Sequence, residues 1–336
     1  MPIADVDELK AHLQTAIELE HATIPPYLCA LYSIPDGKNV SASALIRSVV
    51  MEEMLHMVLA ANLLNAIGGK PDLTHSAFVP SYPGYLPHSD KKFIVGLLPF
   101  GTTAIDTFLK IEKPAKTDAK PQGGDYATIA QFYAAIADGF KTLEGQGKIT
   151  WFQGKQVDGS RFYYNAGGKP VQVIDLPTAL QAIEEITEQG EGFDGSLYDN
   201  DNQFGQKDEL AHYFRFNEIR TGRRYALTDS PNSPPTGATL VVDWDARYPM
   251  SPNPKVSQYA NRPEIHQLMV DFNVRYMALL VALEKAFNGT QEALIAAVPI
   301  MYELKYRAQA LMAIPSGRGD GTTVGPSFEF TAGDFA

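Results

Sequence analysis

A single cysteine, Cys29, in 336 residues excludes an internal disulfide and any cysteine-built metal site, so a metal here must be held by His, Glu or Asp. Basic residues are also scarce. Against 39 Asp and Glu there are 28 Lys and Arg, leaving a net charge of −11 and a pI near 5.1. That field repels phosphate and argues against nucleic acid and anionic membranes as partners. Long apolar runs are missing too: the run over 276–283 ends in Glu284 and Lys285, well short of the ~18 residues a membrane span needs. The opening MPIADVDELKAHLQTA lacks the basic segment and apolar stretch of a secretion leader, which sets the expectation of a cytoplasmic protein. Strand signals are few.

What the chain does have is a 45% hydrophobic composition, enough for a substantial core, and helical periodicity. The pattern predicts helices over 6–32, 41–67, 126–144, 176–191, 206–222, 262–288 and 291–313. Two insertions interrupt them. Residues 68–125 are rich in Pro, Gly and Tyr (SYPGYLP, LLPFGTT), and connections of that length usually cover a site. Within 145–175, the stretch 149–175 carries alternating segments and Asp158-Gly159 and Gly167-Gly168 turns, which predict a small β-hairpin. The irregular stretch after 225 places a boundary there: a metal-binding bundle in 1–225, and in 226–336 a helical hairpin turned at Asn288-Gly289, with a tail that is extended or partly disordered.

The chemistry comes from which acidic residues face inward. At 100° per residue, Leu9, Leu13, Ala16, Ile17, Ile24 and Tyr27 lie within about 60° of Glu20, whereas Glu18 points about 160° away. A carboxylate in the middle of an apolar stripe costs several kcal/mol unless it is paired or metal-bound. The next helix offers Glu53 and His56, three residues apart on the face of Ile46, Val49, Val50, Ala60 and Leu64, while Glu52 falls about 100° off that face. The Glu-x-x-His spacing recurs as Glu209 and His212 in KDELAHYFRFNEI. The helix before it supplies Glu191, nearest its apolar stripe, or Glu188 as the alternative. Glu18 with His21 is a third copy that fails the facing test, and His12, His75, His88 and His266 have no comparable partners and read as surface or structural.

In chain order this gives Glu20, then Glu53 with His56, then Glu191 (or Glu188), then Glu209 with His212. Carboxylate-bridged di-iron and di-manganese bundles order their ligands the same way. The reading is therefore a mainly α four-helix bundle with extra helices, long loops and a small β-hairpin insertion, binding iron as one or two ions, with manganese as the alternative. Tyr27, Tyr213 and Phe216 read as core packing that keeps water out.

At these residues the sequence resembles the ferritin-like domain family that includes the N-terminal region of iminophenyl-pyruvate dimer synthases of bisindole pigment pathways. The stretches that carry the resemblance are IELEHATIPPYLCALYSI, EEMLHMVLAANLLNAIGG, ITEQGEG and ELAHYFRFNEI, spanning about residues 5–225. It implies the same six ligands, favours Glu191 over Glu188, and implies a metal-dependent oxidoreductase acting on a small aromatic or amino-acid-derived substrate. The chain is shorter than those synthases and is expected to stand without their further domains. Ferroxidase or iron-handling activity, and a non-catalytic binding protein, are the competing readings; a homodimer is the assembly to test.

Overall fold

Asp5 starts the first helix by accepting a hydrogen bond from the Glu8 amide at 2.8 Å, with Asp7 and Glu8 complementing the helix dipole in the first turn. The computed structural model describes residues 2–116, 118–159, 163, 167–191, 196–199 and 209–333, the Glu191 side chain excepted. Among these residues are eight α-helices: α1 (Val6–Tyr32), α2 (Val40–Ala66), α3 (Thr102–Ile111), α4 (Ile129–Gly145), α5 (Leu176–Glu191), α6 (His212–Thr221), α7 (Pro263–Phe287) and α8 (Ala293–Met312). The long pair α1–α2 is central. On one side it meets α3, α4, α5 and α6, and on the other α7 and α8. One continuous apolar core, from Leu9 and Leu13 through Phe132 and Ile183 to Phe272 and Leu311, joins both sides. Among the described residues, no helix is long and apolar enough to cross a membrane.

α1 runs unbroken through Pro25 and Pro26. A helical proline leaves the carbonyl four residues back without its amide partner. For Pro26 that carbonyl is Ala22, and the Tyr82 hydroxyl, from the long insertion, donates to it at 2.8 Å. The missing amide is thus replaced by a side chain from outside the helix.

Two expectations fail here. Over 149–175 no strand forms among the described residues, so the β-hairpin is not supported; residues 160–162 and 164–166 lie outside the described set. Side chains do the work of a ladder instead. Gln156 exchanges two 2.7 Å hydrogen bonds with the Val173 backbone, and Asn62 of α2 bonds both backbone groups of Val157 and the carbonyl of Val171. Of the helix expected over 206–222, residues 206–208 lie outside the described set; within it the helix begins at His212, because Glu209–Ala211 run extended against Leu197–Asp199 with backbone bonds at 2.9 and 3.1 Å. The 68–125 insertion, expected to be irregular, contains a helix, α3.

The tail is extended but not loose. Val324 and Phe328 are buried, Phe328 sits edge-on to Phe272 and Tyr276, and Ser327 bonds Asn273 of α7 at 2.9 Å.

Candidate metal centre

Five buried side chains converge between α1, α2, α6 and the C-terminal end of α3. Glu20, Glu53 and His56 form one group whose ligand atoms lie within 4.8 Å of one another, and Glu53, Glu112 and His212 form a second. Glu53 belongs to both. His56 Nδ1 lies 3.4 Å from Glu20 Oε2; His212 Nδ1 lies 3.0 Å from Glu53 Oε1 and 3.5 Å from Glu112 Oε2. The two imidazole rings are stacked 5.4 Å apart.

Each carboxylate has one oxygen held and one turned to the centre. Tyr133 donates to Glu20 Oε1 at 2.6 Å, Thr23 lies 2.7 Å from Glu53 Oε2, and Tyr27 donates a short hydrogen bond to Glu112 Oε1. Burial, reinforced by the neighbouring carboxylates, pushes both phenols well above their ordinary pKa, so they stay protonated donors. Tyr27 is therefore more than packing.

The imidazoles are oriented in the same way from outside. His56 Nε2 is 2.9 Å from Gln189 Oε1, and the Gln189 amide nitrogen donates to Gly167 O and Glu185, which fixes the oxygen as the acceptor toward His56. His212 Nε2 is 2.8 Å from Glu52 Oε2. Both rings thus carry their proton on Nε2 and turn the Nδ1 lone pair inward, the arrangement that second-sphere acceptors impose on metal-binding histidines. Glu52 in turn is gripped by Arg215 at 2.7 Å. Burial opposes its ionisation, but Arg215 and His212 outweigh it and hold its carboxyl below the usual range.

Three buried carboxylates crowd the centre. Burial, with Glu112 and Glu20 close by, pushes the Glu53 carboxyl up to about 7. Burial works against charging His56 and His212, yet hydrogen bonds and charge from Glu20 for the first, and from Glu112, Glu52 and Glu53 for the second, raise both. His212 Nδ1 is fully buried and faces Glu53 Oε1 at 3.0 Å and Glu112 Oε2 at 3.5 Å. A lone pair facing two carboxylate oxygens is repulsive unless a cation or a proton lies between them. Three carboxylates and two imidazoles make a donor set suited to iron or manganese, so these residues fit such an ion.

Of the ligands read from sequence, Glu20, Glu53, His56 and His212 meet here. Glu209 does not. Its side chain is 52% exposed and lies 3.3 Å from Arg215, because the chain is extended at 209 and the three-residue spacing to His212 places nothing on a common face. The Glu191 side chain lies outside the described residues. Glu188 turns toward Glu184, Glu185 and Asp199, and burial with those charges raises its carboxyl to about 8. Two residues were missed. Glu52 was assigned outward, but α6 packs on that side of α2, so the face away from the ligands is interior. Glu112, at the C-terminal cap of α3, had a readable signal: Ala104, Ile105, Phe108 and Ile111 recur at helical spacing just before it.

Beside Glu20, Glu53, His56 and Glu112 is a space of about 20 Å³, walled by Ile111, Ile129, Ile186, Thr187 and Gly190. It holds about one water-sized group.

A Ferritin-like family model matches residues 13–221, the part of the chain that contains the whole centre. The chain belongs to this family. The Ferritin-like protein of Caulobacter vibrioides, known from a crystal structure, superposes with a TM-score of 0.66 at 26% identity over 97% of this chain and 100% of that one. Dichlorochromopyrrolate synthase of Lentzea aerocolonigenes is 25% identical over 98% of this chain, and 2-imino-3-(indol-3-yl)propanoate dimerase of Chromobacterium violaceum is 26% identical over 55% of it. The chain spans 36% of the first relative's length and 21% of the second's. The family drawn from the motifs is the family found, and the mainly helical Ferritin-like fold holds without the β-hairpin.

Proposed function

We propose that this Ferritin-like chain is a metal-dependent oxidoreductase whose centre holds one or two iron ions, or manganese, and acts on a small aromatic or amino-acid-derived substrate. The observation that carries the reading is Glu53, shared by two ligand groups as a bridging carboxylate would be. Glu20 with His56 would hold one ion, and Glu112 with His212 the other. Bound there, iron would supply one-electron redox chemistry and activation of dioxygen or peroxide.

The protein's own residues do the rest. Thr23, Tyr27 and Tyr133 keep one oxygen of each carboxylate turned away, so that the other faces the centre. Glu52, anchored by Arg215, keeps the His212 proton on Nε2. Phe108 and Phe216, packed on Tyr27, keep water from the site. The substrate class is supported by the two curated relatives, one of which is named for an indolyl imino acid.

A second reading, oxidation of iron itself, is supported by the size of the adjoining space, which admits a diatomic molecule but not an aromatic ring. Elemental analysis of protein purified without chelators, alongside Glu53→Ala and His212→Ala, tests both readings. Stoichiometric iron in the parent, lost from folded variants, is expected; parent protein that stays metal-free after anaerobic iron reconstitution overturns both. Oxygen uptake that requires an added aromatic imino or amino acid then favours the oxidoreductase. Uptake that tracks ferrous iron alone favours iron oxidation.

A further inference from the structure

A second cavity lies between the α1–α2 pair and the α7–α8 hairpin, on another face of the two helices that carry the ligands. It measures about 160 Å³ and its walls are apolar, including Ile24, Leu28, Met54, Leu280, Ala297 and Met301. One aromatic ring fits that volume: an apolar protein cavity of roughly 150 Å³ stays dry and takes benzene. Its polar wall is the buried pair His21 and Tyr276, joined at 2.6 Å, with His21 Nδ1 left without a partner.

The cavity shares Leu28, Tyr32, Met51, Met54, Val298 and Met301 with an open groove of about 780 Å³. These common walls are the mouth. Three are methionines, whose unbranched side chains can swing aside at little cost. Beyond the mouth the groove carries Lys38, Arg47 and Lys305 against one carboxylate, Asp36. In a chain of net charge −11 that local excess of positive charge runs against the whole. Lys305 is paired with Asp36 at 2.9 Å, and the more distant charge of Arg47 also acts on that carboxylate, so two cations share one anion. Arg47 stands one turn from Met51 on α2, and Lys305 one turn from Met301 on α8, so both charges sit ~6 Å along their helices from the mouth.

We infer that this cavity and groove form a binding site for an arylalkanoate: a single aromatic ring in the apolar cavity, and a carboxylate two or three carbons away at Arg47 and Lys305. Charge complementarity selects the anion and the cavity volume selects the ring. The site does not rest on the metal reading. Because His21 adjoins Glu20 and Met57 adjoins His56, an occupant would press on the same two helices that carry the ligands.

The probe is 3-phenylpropanoate, titrated into the full chain by calorimetry, with 3-phenylpropanol as its uncharged counterpart. One saturable site per chain is expected, preferring the acid, with affinity falling about fivefold for Arg47→Ala and again for Lys305→Ala. Both positions are on the surface, so these variants should fold. Ala297→Phe, checked by circular dichroism, should abolish binding of both probes by filling the cavity. Absence of saturable binding overturns the proposal. So does equal affinity for acid and alcohol in the parent, or binding that persists in folded Ala297→Phe. Sedimentation gives the remaining outcome: a dimer dispersed by Tyr302→Glu would make the groove a contact between two copies and would also overturn it.

Discussion

Glu53 lies within ligand distance of both imidazoles' neighbourhoods, and the residue that completes its second group, Glu112, comes from outside the long bundle helices. Glu112→Ala should therefore lower iron per chain by about half or more, whereas Glu209→Ala should leave it unchanged, as elemental analysis of the reconstituted proteins would read. Loading should also release protons. With Glu53 at about 7 and both imidazoles above their ordinary value, the metal-free centre carries protons below neutrality that a cation must displace. Apparent affinity should rise as pH passes upward through about 7, and calorimetry in two buffers of different ionisation enthalpy at pH 6.5 should show the release; no buffer dependence would contradict it. Facing arguments turn Glu20, Glu53 and His56 inward, where the fold also places them, because each sits on a long helix whose apolar stripe is unambiguous. They failed at Glu209 because angular spacing means nothing where the chain is not helical. They failed at Glu52 because α2 is covered on more than one side.

At the scale of elements, the insertions are as much a part of the bundle as its helices. The 149–175 stretch looks like a hairpin in sequence because its residues alternate. In the fold its backbone groups are met by Asn62 and Gln156, which local sequence cannot reveal. Asn62→Ala removes three buried hydrogen bonds at once and is expected to cost about 3 kcal/mol, measured by chemical denaturation. A value within error of zero would mean that the segment is held elsewhere. The α3 helix was legible in principle. Its apolar face, Ala104, Ile105, Phe108 and Ile111, is short and set within Pro- and Gly-rich chain, which masks the period.

For the whole molecule, the continuous core makes α7, α8 and the tail partners of the bundle that holds the candidate metal centre. The tail's Gly, Ser and Thr content suggests looseness in sequence, but Phe328 anchors it between Phe272 and Tyr276. Phe328→Ala should cost about 3–5 kcal/mol, as truncation of a buried aromatic does, and should lower the melting temperature accordingly. A surface-like effect below about 0.5 kcal/mol would contradict that anchoring.

Glu112 also bears on how quickly the centre exchanges what it holds. Three of the five converging side chains ride on the long helices α1 and α2, His212 opens the ten-residue α6, and Glu112 caps the ten-residue α3 inside an irregular insertion. Local opening of so short an element costs far less than global unfolding. Release of an ion to a chelator would then follow the fluctuations of α3, leaving the bundle standing, and the dissociation rate would respond to substitutions along Thr102–Ile111 that touch no ligand.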